Sequence, residues 1–195
     1  MVRGAEGTKE RLIDAAERLL VRGGHGAVGV NAVAAECGVD KVLIYRYFGG
    51  LPQLLQCVGE RRRLWPELSA RTDGSASLGA ALRDPLLAIA HEMRENPALR
   101  EATLWERAES NPLTEALAAE RERALNELLE SLRERFRVPA YLDLPVLFAI
   151  LAAGLVHLST RRQESAKLFG IDPDSDDDWR RIEKMITSIT RVLTE

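Results

Sequence analysis

The stretch that most constrains the fold is residues 28–51, VGVNAVAAECGVDKVLIYRYFGGL. Its first part has apolar residues at helical spacing and ends in Gly38, which predicts a short helix over residues 29–37. Asp40 is a good N-cap for a second helix over residues 41–48. Two short helices joined by a tight turn are typical of a helix-turn-helix, whose second helix enters the DNA major groove.

The second of these helices has too many side chains to bury. Ile44 and Phe48 lie four residues apart and are expected to form its inner face. The other side chains include a lysine, an arginine and two tyrosines, which therefore face solvent. A short helix with such a surface has the chemistry of a groove reader.

The residues also carry a family resemblance. The run A-x-x-C-G-V-x-x-x-x-I-Y-R-Y-F, close to the N-terminus, resembles the DNA-binding domain of the TetR family of bacterial transcriptional regulators. It covers roughly the first third of the chain, and beyond it only helical character and length can be compared. The resemblance implies an all-α fold with an N-terminal three-helix helix-turn-helix domain, residues 1–50, and a C-terminal helical effector-binding and dimerisation domain, residues 51–195.

The resemblance also implies a set of DNA contacts. Lys41, Val42 and Tyr45 would face bases, and Asn31 at the start of the first helix could pair with adenine. Arg46 and Tyr47 would meet phosphates or neighbouring bases, although Tyr45 or Tyr47 could instead pack against the first helix. The predicted DNA-binding set is Asn31, Lys41, Val42, Leu43, Tyr45, Arg46 and Tyr47.

Two residues depart from the family pattern. Leu43 stands where many members have a small hydroxyl residue, and Leu51 stands where most have a lysine that grips the DNA backbone. Losing one phosphate contact removes about one released counterion, so DNA affinity and its salt dependence are both expected to fall somewhat. The N-terminus of the fourth helix could still hold a phosphate through its backbone N–H groups.

Composition agrees with a DNA-binding protein once the net charge of −3 is divided along the chain. Residues 1–65 hold ten Lys and Arg against seven Asp and Glu, whereas the remainder is acidic. No apolar run is long enough for a membrane span, and the N-terminal segment MVRGAEGTKERL lacks the hydrophobic core of a signal peptide. Cys37 and Cys57 form no metal or disulfide pattern. We expect a cytoplasmic protein that requires no cofactor and is not an enzyme, since no P-loop or nucleophile elbow is present.

The rest of the chain reads as helices. Thr8 is expected to cap a first helix over residues 9–23, and a fourth helix is expected from Leu51 to about Trp65. The run Arg61-Arg62-Arg63 is read as a solvated face, with long-range attraction of DNA as the alternative. Further helices are predicted at about residues 78–96, 97–109, 113–136, 146–161 and 177–193, and residues 67–77 form a loop.

The last two helices are the predicted dimer interface. The run within residues 146–161 is expected to be buried on most sides, with more apolar surface than one chain can cover. Paired with the final helix and with the same pair of a second chain, it would form a two-fold four-helix bundle, as in TetR-like proteins. The alternative is a purely intrachain core. The predicted interface residues are Leu147, Ile150, Leu151, Gly154, Ile182, Met185, Ile186 and Ile189.

The resemblance further implies an effector held among the helices after residue 78. An apolar cavity with a few polar groups suits an apolar or amphipathic ligand. The predicted lining residues are Leu86, Ile89, Met93, Trp105, Leu117 and Arg121, each of which could equally be ordinary core. A calcium loop at residues 172–183 is disfavoured because Asp177 replaces the required glycine, so an acidic loop that caps the final helix is expected and no metal.

These observations favour a DNA-binding transcriptional regulator. The most favoured form is a repressor that dimerises on a pseudo-palindromic operator in double-stranded DNA and is released by a small apolar or amphipathic effector. The alternative is a helical ligand-binding or interaction protein with weakened DNA binding, which the residues Leu43 and Leu51 favour.

Overall fold

The structure, a computed structural model, describes residues 2–62, 65–161 and 167–194. Within these ranges the regular structure is helical except for one isolated bridge between Leu168 and Ile171, which confirms the predicted all-α class. The helices are α1 Val2–Gly23, α2 Val30–Cys37, α3 Val42–Phe48, α4 Leu51–Arg62, α5 Leu78–Glu95, α6 Pro97–Ala108, α7 Pro112–Arg135, α8 Leu144–Thr160 and α9 Asp176–Val192. Short 3₁₀ turns lie at His25–Ala27 and Ser69–Thr72.

Most predicted helix bounds are within one or two residues of those observed, but the start of α1 was predicted wrongly. Thr8 lies inside α1, which begins at Val2, and so it does not cap the helix. No proline precedes Thr8, so nothing in the chain stops the helix from extending towards the N-terminus. The end of the run Arg61-Arg62-Arg63 and Leu64 lie outside the described residues.

The first compact unit comprises described residues within 1–64 and 96–120. α1 supplies the centre of its core, with Leu12, Ile13 and Leu20 fully buried. Gly59 of α4 allows a close approach to α7, because a methyl group at Gly59 would lie 2.8 Å from the Cβ atom of Ala116. The unit therefore holds the predicted helix-turn-helix on a packed apolar base.

The second compact unit comprises described residues within 65–95 and 121–195. α5 packs against both α8 and α9, and Gly79 lies so close to α9 that a methyl group there would stand 3.2 Å from the Thr190 carbonyl oxygen. Trp179 is buried, its indole N–H donates to the Pro173 carbonyl at 2.8 Å, and Arg94 lies over its ring. This packing holds α8 and α9 side by side.

The predicted domain boundary at residue 50 separates a DNA-binding domain from an effector-binding domain, and it stays a prediction. In the structure, α4 packs within the first unit.

α8 is less buried than its apolar sequence led us to expect. Phe148 and Leu155 are buried, but Val146, Ala149, Ile150, Ala153 and Gly154 are exposed in the single chain. The prediction of burial on most sides is therefore wrong for this chain alone, because α5 covers one face of α8 and leaves another open.

Among the described helices, none has both the length and the apolar character that crossing a membrane requires.

The acidic segment before α9 is a helix cap, as expected. Ser175 accepts a hydrogen bond from the Asp178 N–H, and Asp178 in turn accepts one from the Asp172 N–H at 2.9 Å. Arg181 also pairs with Asp178. These hydrogen bonds lower the pKa of the Asp178 carboxyl, first through the backbone N–H of Asp172 and then through Arg181.

Candidate nucleic-acid interface

The turn between α2 and α3 follows from the glycine at its start. Gly38 takes a left-handed conformation with φ of 68°, and the Val39 N–H then donates to the Ala34 carbonyl at 3.0 Å. Asp40 accepts a hydrogen bond from the Val42 N–H at 2.8 Å through its carboxylate. α2 therefore ends and α3 begins within a few residues, which fixes the two helices as one helix-turn-helix.

Burial orients α3 on this scaffold. Ile44 is fully buried and Phe48 is half-buried, so this face of the helix packs inward. On the opposite side Val42 is 60% and Tyr45 is 54% exposed. Large apolar side chains exposed singly on a short helix are available for contact with base edges.

The rest of the predicted DNA-binding set divides by exposure. Asn31, Lys41 and Arg46 are exposed, whereas Leu43 and Tyr47 are half-buried. The Arg46 guanidinium lies 5.9 Å from the centre of the Tyr47 ring, a cation–π distance that holds the two side chains together. The contacts that all seven residues make with DNA remain predictions.

A cluster of charges joins α2 to α1, and no local sequence pattern predicts it. Glu36 of α2 pairs with Arg18 at 3.0 Å and with Arg22 at 2.7 Å. Hydrogen bonds from Arg22 and then Arg18 lower the pKa of the Glu36 carboxyl. Arg11 donates to the Cys37 carbonyl at 2.7 Å, which holds the end of α2 as well. The four-residue spacing of the two arginines was visible in the sequence, but their acidic partner lies 14 and 18 residues away.

The chain turns sharply after α3. Gly49 and Gly50 both have positive φ, 89° and 152°, and α4 starts at Leu51 with Pro52 in its first turn. The Leu51 side chain is half-buried, so it contributes packing where the family pattern has a cation.

A second surface lies in the other unit, along α8 and α9. Ile150, Leu151 and Gly154 face Ile182, Met185 and Ile189 across an open groove of about 420 Å³. Ile186 is nearly buried, but Ile150 is 66% and Met185 is 59% exposed. Seven of the eight predicted interface residues line this groove, and the eighth, Leu147, is half-buried on α8.

The predicted effector-lining residues do not all fall in one unit. Leu86, Ile89 and Met93 of α5 are buried in the second unit, whereas Trp105 and Leu117 are buried in the first. Arg121 is half-buried and its guanidinium lies 5.7 Å from the Trp65 ring. Trp105 donates its indole N–H to Glu109 at 2.6 Å. Their role in ligand binding stays a prediction.

Comparison with known proteins identifies the helix-turn-helix. A family model described as bacterial regulatory proteins of the tetR family matches residues 12–56, which run from α1 into α4. This segment of the chain is similar to the DNA-binding domain of the TetR family. This confirms the resemblance carried by residues 34–48, which lie inside the matched segment.

Curated TetR-type relatives match the chain over part of its length. The HTH-type transcriptional repressor KstR of Mycobacterium tuberculosis is 34% identical over 106 residues, 51% of this chain and 47% of that protein. An uncharacterised HTH-type transcriptional regulator of the same species is 29% identical over 99 residues, 50% of this chain and 49% of that protein. The chain thus spans about half the length of the curated relatives it matches.

Solved TetR-type structures share the whole fold. A TetR family transcription regulator from Marinobacter aquaeolei gives a TM-score of 0.66 at 18% identity, over 96% of this chain and 97% of that chain. The regulator FadR from Bacillus subtilis, solved in complex with stearoyl-CoA, gives a TM-score of 0.69 at 16% identity, over 95% and 97%. At these identities the likeness establishes the TetR fold, with an N-terminal helix-turn-helix and a C-terminal helical domain.

Proposed function

We propose that this protein is a TetR-type repressor that binds a pseudo-palindromic operator as a homodimer and leaves it when a small effector binds. The main support for the proposal is that α3 has one buried face and one exposed face. Its inner face is anchored by the fully buried Ile44, and its outer face presents Val42 and Tyr45 beside the exposed Lys41 and Arg46. Apolar side chains that can meet thymine methyl groups, flanked by cations for phosphates, suit the major groove.

The charge arrangement supports the same orientation on DNA. Arg18 and Arg22 are paired with Glu36, so they hold α2 in place. Lys41 and Arg46, one before and one within α3, carry cationic groups towards solvent. The phosphate contacts therefore come from the reading helix itself, which makes binding sensitive to salt.

Dimerisation is supported by the groove on α8 and α9. The groove is apolar apart from Arg181, and singly exposed side chains do not explain so continuous an apolar surface. A second copy with the same surface would cover it through a two-fold axis. The dimer would then present two reading helices to successive major-groove faces, which requires a pseudo-palindromic operator.

The effector is proposed to be apolar or amphipathic. FadR of Bacillus subtilis, which shares the fold, was solved with stearoyl-CoA, so a long-chain acyl compound is the first probe to use. In this chain the predicted lining is mainly aliphatic, with Leu86, Ile89 and Met93 on α5. Release follows only if the effector prefers the dimer arrangement that does not fit the operator.

The test is selection of bound sequences from random duplex DNA, followed by affinity measurements with Lys41→Ala and Tyr47→Phe. A recovered pseudo-palindrome is expected, with affinity reduced about tenfold in Lys41→Ala because a phosphate or base contact is removed. A fold control is the helical circular dichroism of each variant. No enrichment at low salt would reject the repressor and favour the second candidate.

That second candidate is a helical ligand-binding or interaction protein with weakened DNA binding. Leu51 favours it, because a half-buried aliphatic side chain begins α4 in place of a phosphate-binding lysine. Salt-dependent binding to the selected operator would exclude this alternative.

A further inference from the structure

An unusual turn lies between α8 and α9. Leu168 and Ile171 exchange both backbone hydrogen bonds, each at 2.9 Å, and thereby close a two-residue loop. Both loop residues have positive φ, 50° for Phe169 and 78° for Gly170. Loops with two positive φ angles favour asparagine, aspartate and glycine, because other side chains clash with the backbone there.

Phe169 is disfavoured at this position in two ways. It is the only non-glycine residue with positive φ in the described part of the chain. Phe169 is also 96% exposed, more than any other large hydrophobic residue described. This arrangement does not stabilise an isolated chain. The backbone of Phe169 is strained, and its ring remains in water instead of being buried.

The position of the turn indicates what the ring contacts. Ile171, which closes the turn, also lines the apolar groove of α8 and α9. The turn therefore borders the surface that we propose is shared with a second copy. A two-fold axis that pairs the groove brings its border on each chain to the edge of the interface as well.

We propose that Phe169 is an anchor of the homodimer, with its ring packed on the partner copy beside the α8–α9 groove. This rests on the proposed dimerisation and adds the turn to the surface. An aromatic side chain on a fixed backbone has only two torsions to restrict on association, so it contributes contact area at a small entropy cost, as interface anchors do. The tight turn supplies the fixed backbone, since both hydrogen bonds of the Leu168–Ile171 pair hold it on either side.

The variant Phe169→Asn tests the proposal because asparagine tolerates positive φ. It removes the ring without opposing the turn, so each chain should remain folded by circular dichroism. The dimer dissociation constant, measured by sedimentation over a dilution series, is expected to rise about tenfold or more. Phe169→Tyr, which keeps the ring, should have a dissociation constant close to that of the unchanged protein.

Two further variants separate this inference from the dimer itself. Met185→Glu, in the centre of the groove, should abolish the dimer if the proposed interface is right. Tyr141→Asn removes another exposed aromatic, 72% accessible and outside the groove lining, and should leave the dimer unchanged. If Met185→Glu is monomeric and Phe169→Asn remains as dimeric as the unchanged protein, the proposed role of Phe169 is wrong and the proposed dimer interface is retained. If the unchanged protein is monomeric, the dimer fails and the anchor fails with it.

Discussion

The outer face of α3 and the groove of α8 and α9 both expose large apolar side chains, but the neighbouring side chains differ in chemistry. On α3, Val42 is 60% and Tyr45 is 54% exposed, with Lys41 and Arg46 beside them. On α8 and α9, Ile150 and Met185 are exposed to a similar degree, but they continue into further leucine and isoleucine side chains.

The exposure of an apolar side chain therefore does not by itself indicate which partner a surface binds. An apolar side chain among cations and hydroxyl groups suits a charged, grooved partner such as DNA, whose bases offer methyl groups between phosphates. A continuous apolar groove suits a partner with the same character, and a second copy supplies one.

The largest effect is expected from placing a charge in the groove. Ile150→Glu should convert the dimer to monomers, because the carboxylate would lose its water without gaining a partner. DNA affinity should then fall roughly 100-fold or more, since the two reading helices no longer bind together. Sedimentation and an operator-binding titration measure the two effects.

The matched control makes the same change on the other surface. Val42→Glu should lose operator binding, because the carboxylate opposes the phosphates, but it should remain dimeric. Should Val42→Glu dissociate, or Ile150→Glu stay dimeric, the assignment of the two surfaces would be wrong.

A smaller effect is expected from restoring the missing cation. Leu51→Lys should tighten operator binding several-fold and steepen the dependence of log affinity on log salt by about 0.9, the value for one more phosphate contact on duplex DNA. Asn126→Lys adds the same charge at an exposed position of α7 and serves as the control. Equal effects of the two variants would show that net charge matters and that the position of Leu51 does not.

The smallest effect concerns acid stability. The arginines beside Glu36 lower its pKa from 4.5, so the charged carboxylate stabilises the folded state above that ordinary value. This contribution is lost as pH falls below about 4.5 and through the lowered folded pKa. Glu36→Gln should therefore be less stable at pH 6 and should lose less stability on going to pH 3, by urea denaturation.

The control for acid stability lies in the other unit. Asp178→Asn removes the other carboxyl whose pKa is lowered, and it should likewise reduce acid sensitivity without changing operator affinity. If Glu36→Gln follows the unchanged protein at every pH, the arginine pairs contribute nothing to stability, as is common for exposed ion pairs.

Much of the helix-turn-helix could be predicted from local sequence. Gly38 and Asp40 set the end of one helix and the start of the next, and both act in the structure as the sequence indicates. Such signals work because caps and left-handed turns depend on a few neighbouring residues. Thr8 is the exception, since a capping residue forms a cap only where the helix actually begins.

Local sequence patterns were enough to predict the TetR resemblance of residues 34–48, the all-α class and the order of the helices. Helical periodicity and capping are written within a few residues, and Ile44 and Val42 differ in burial because they lie on opposite faces of one helix. The tertiary structure alone decided which apolar residues remain uncovered. α5 covers Phe148 and Leu155 of α8 but leaves Ile150 open, Glu36 finds its arginines a helix away, and Phe169 is held at a positive φ. These depend on contacts between segments far apart in the chain, which no local pattern specifies.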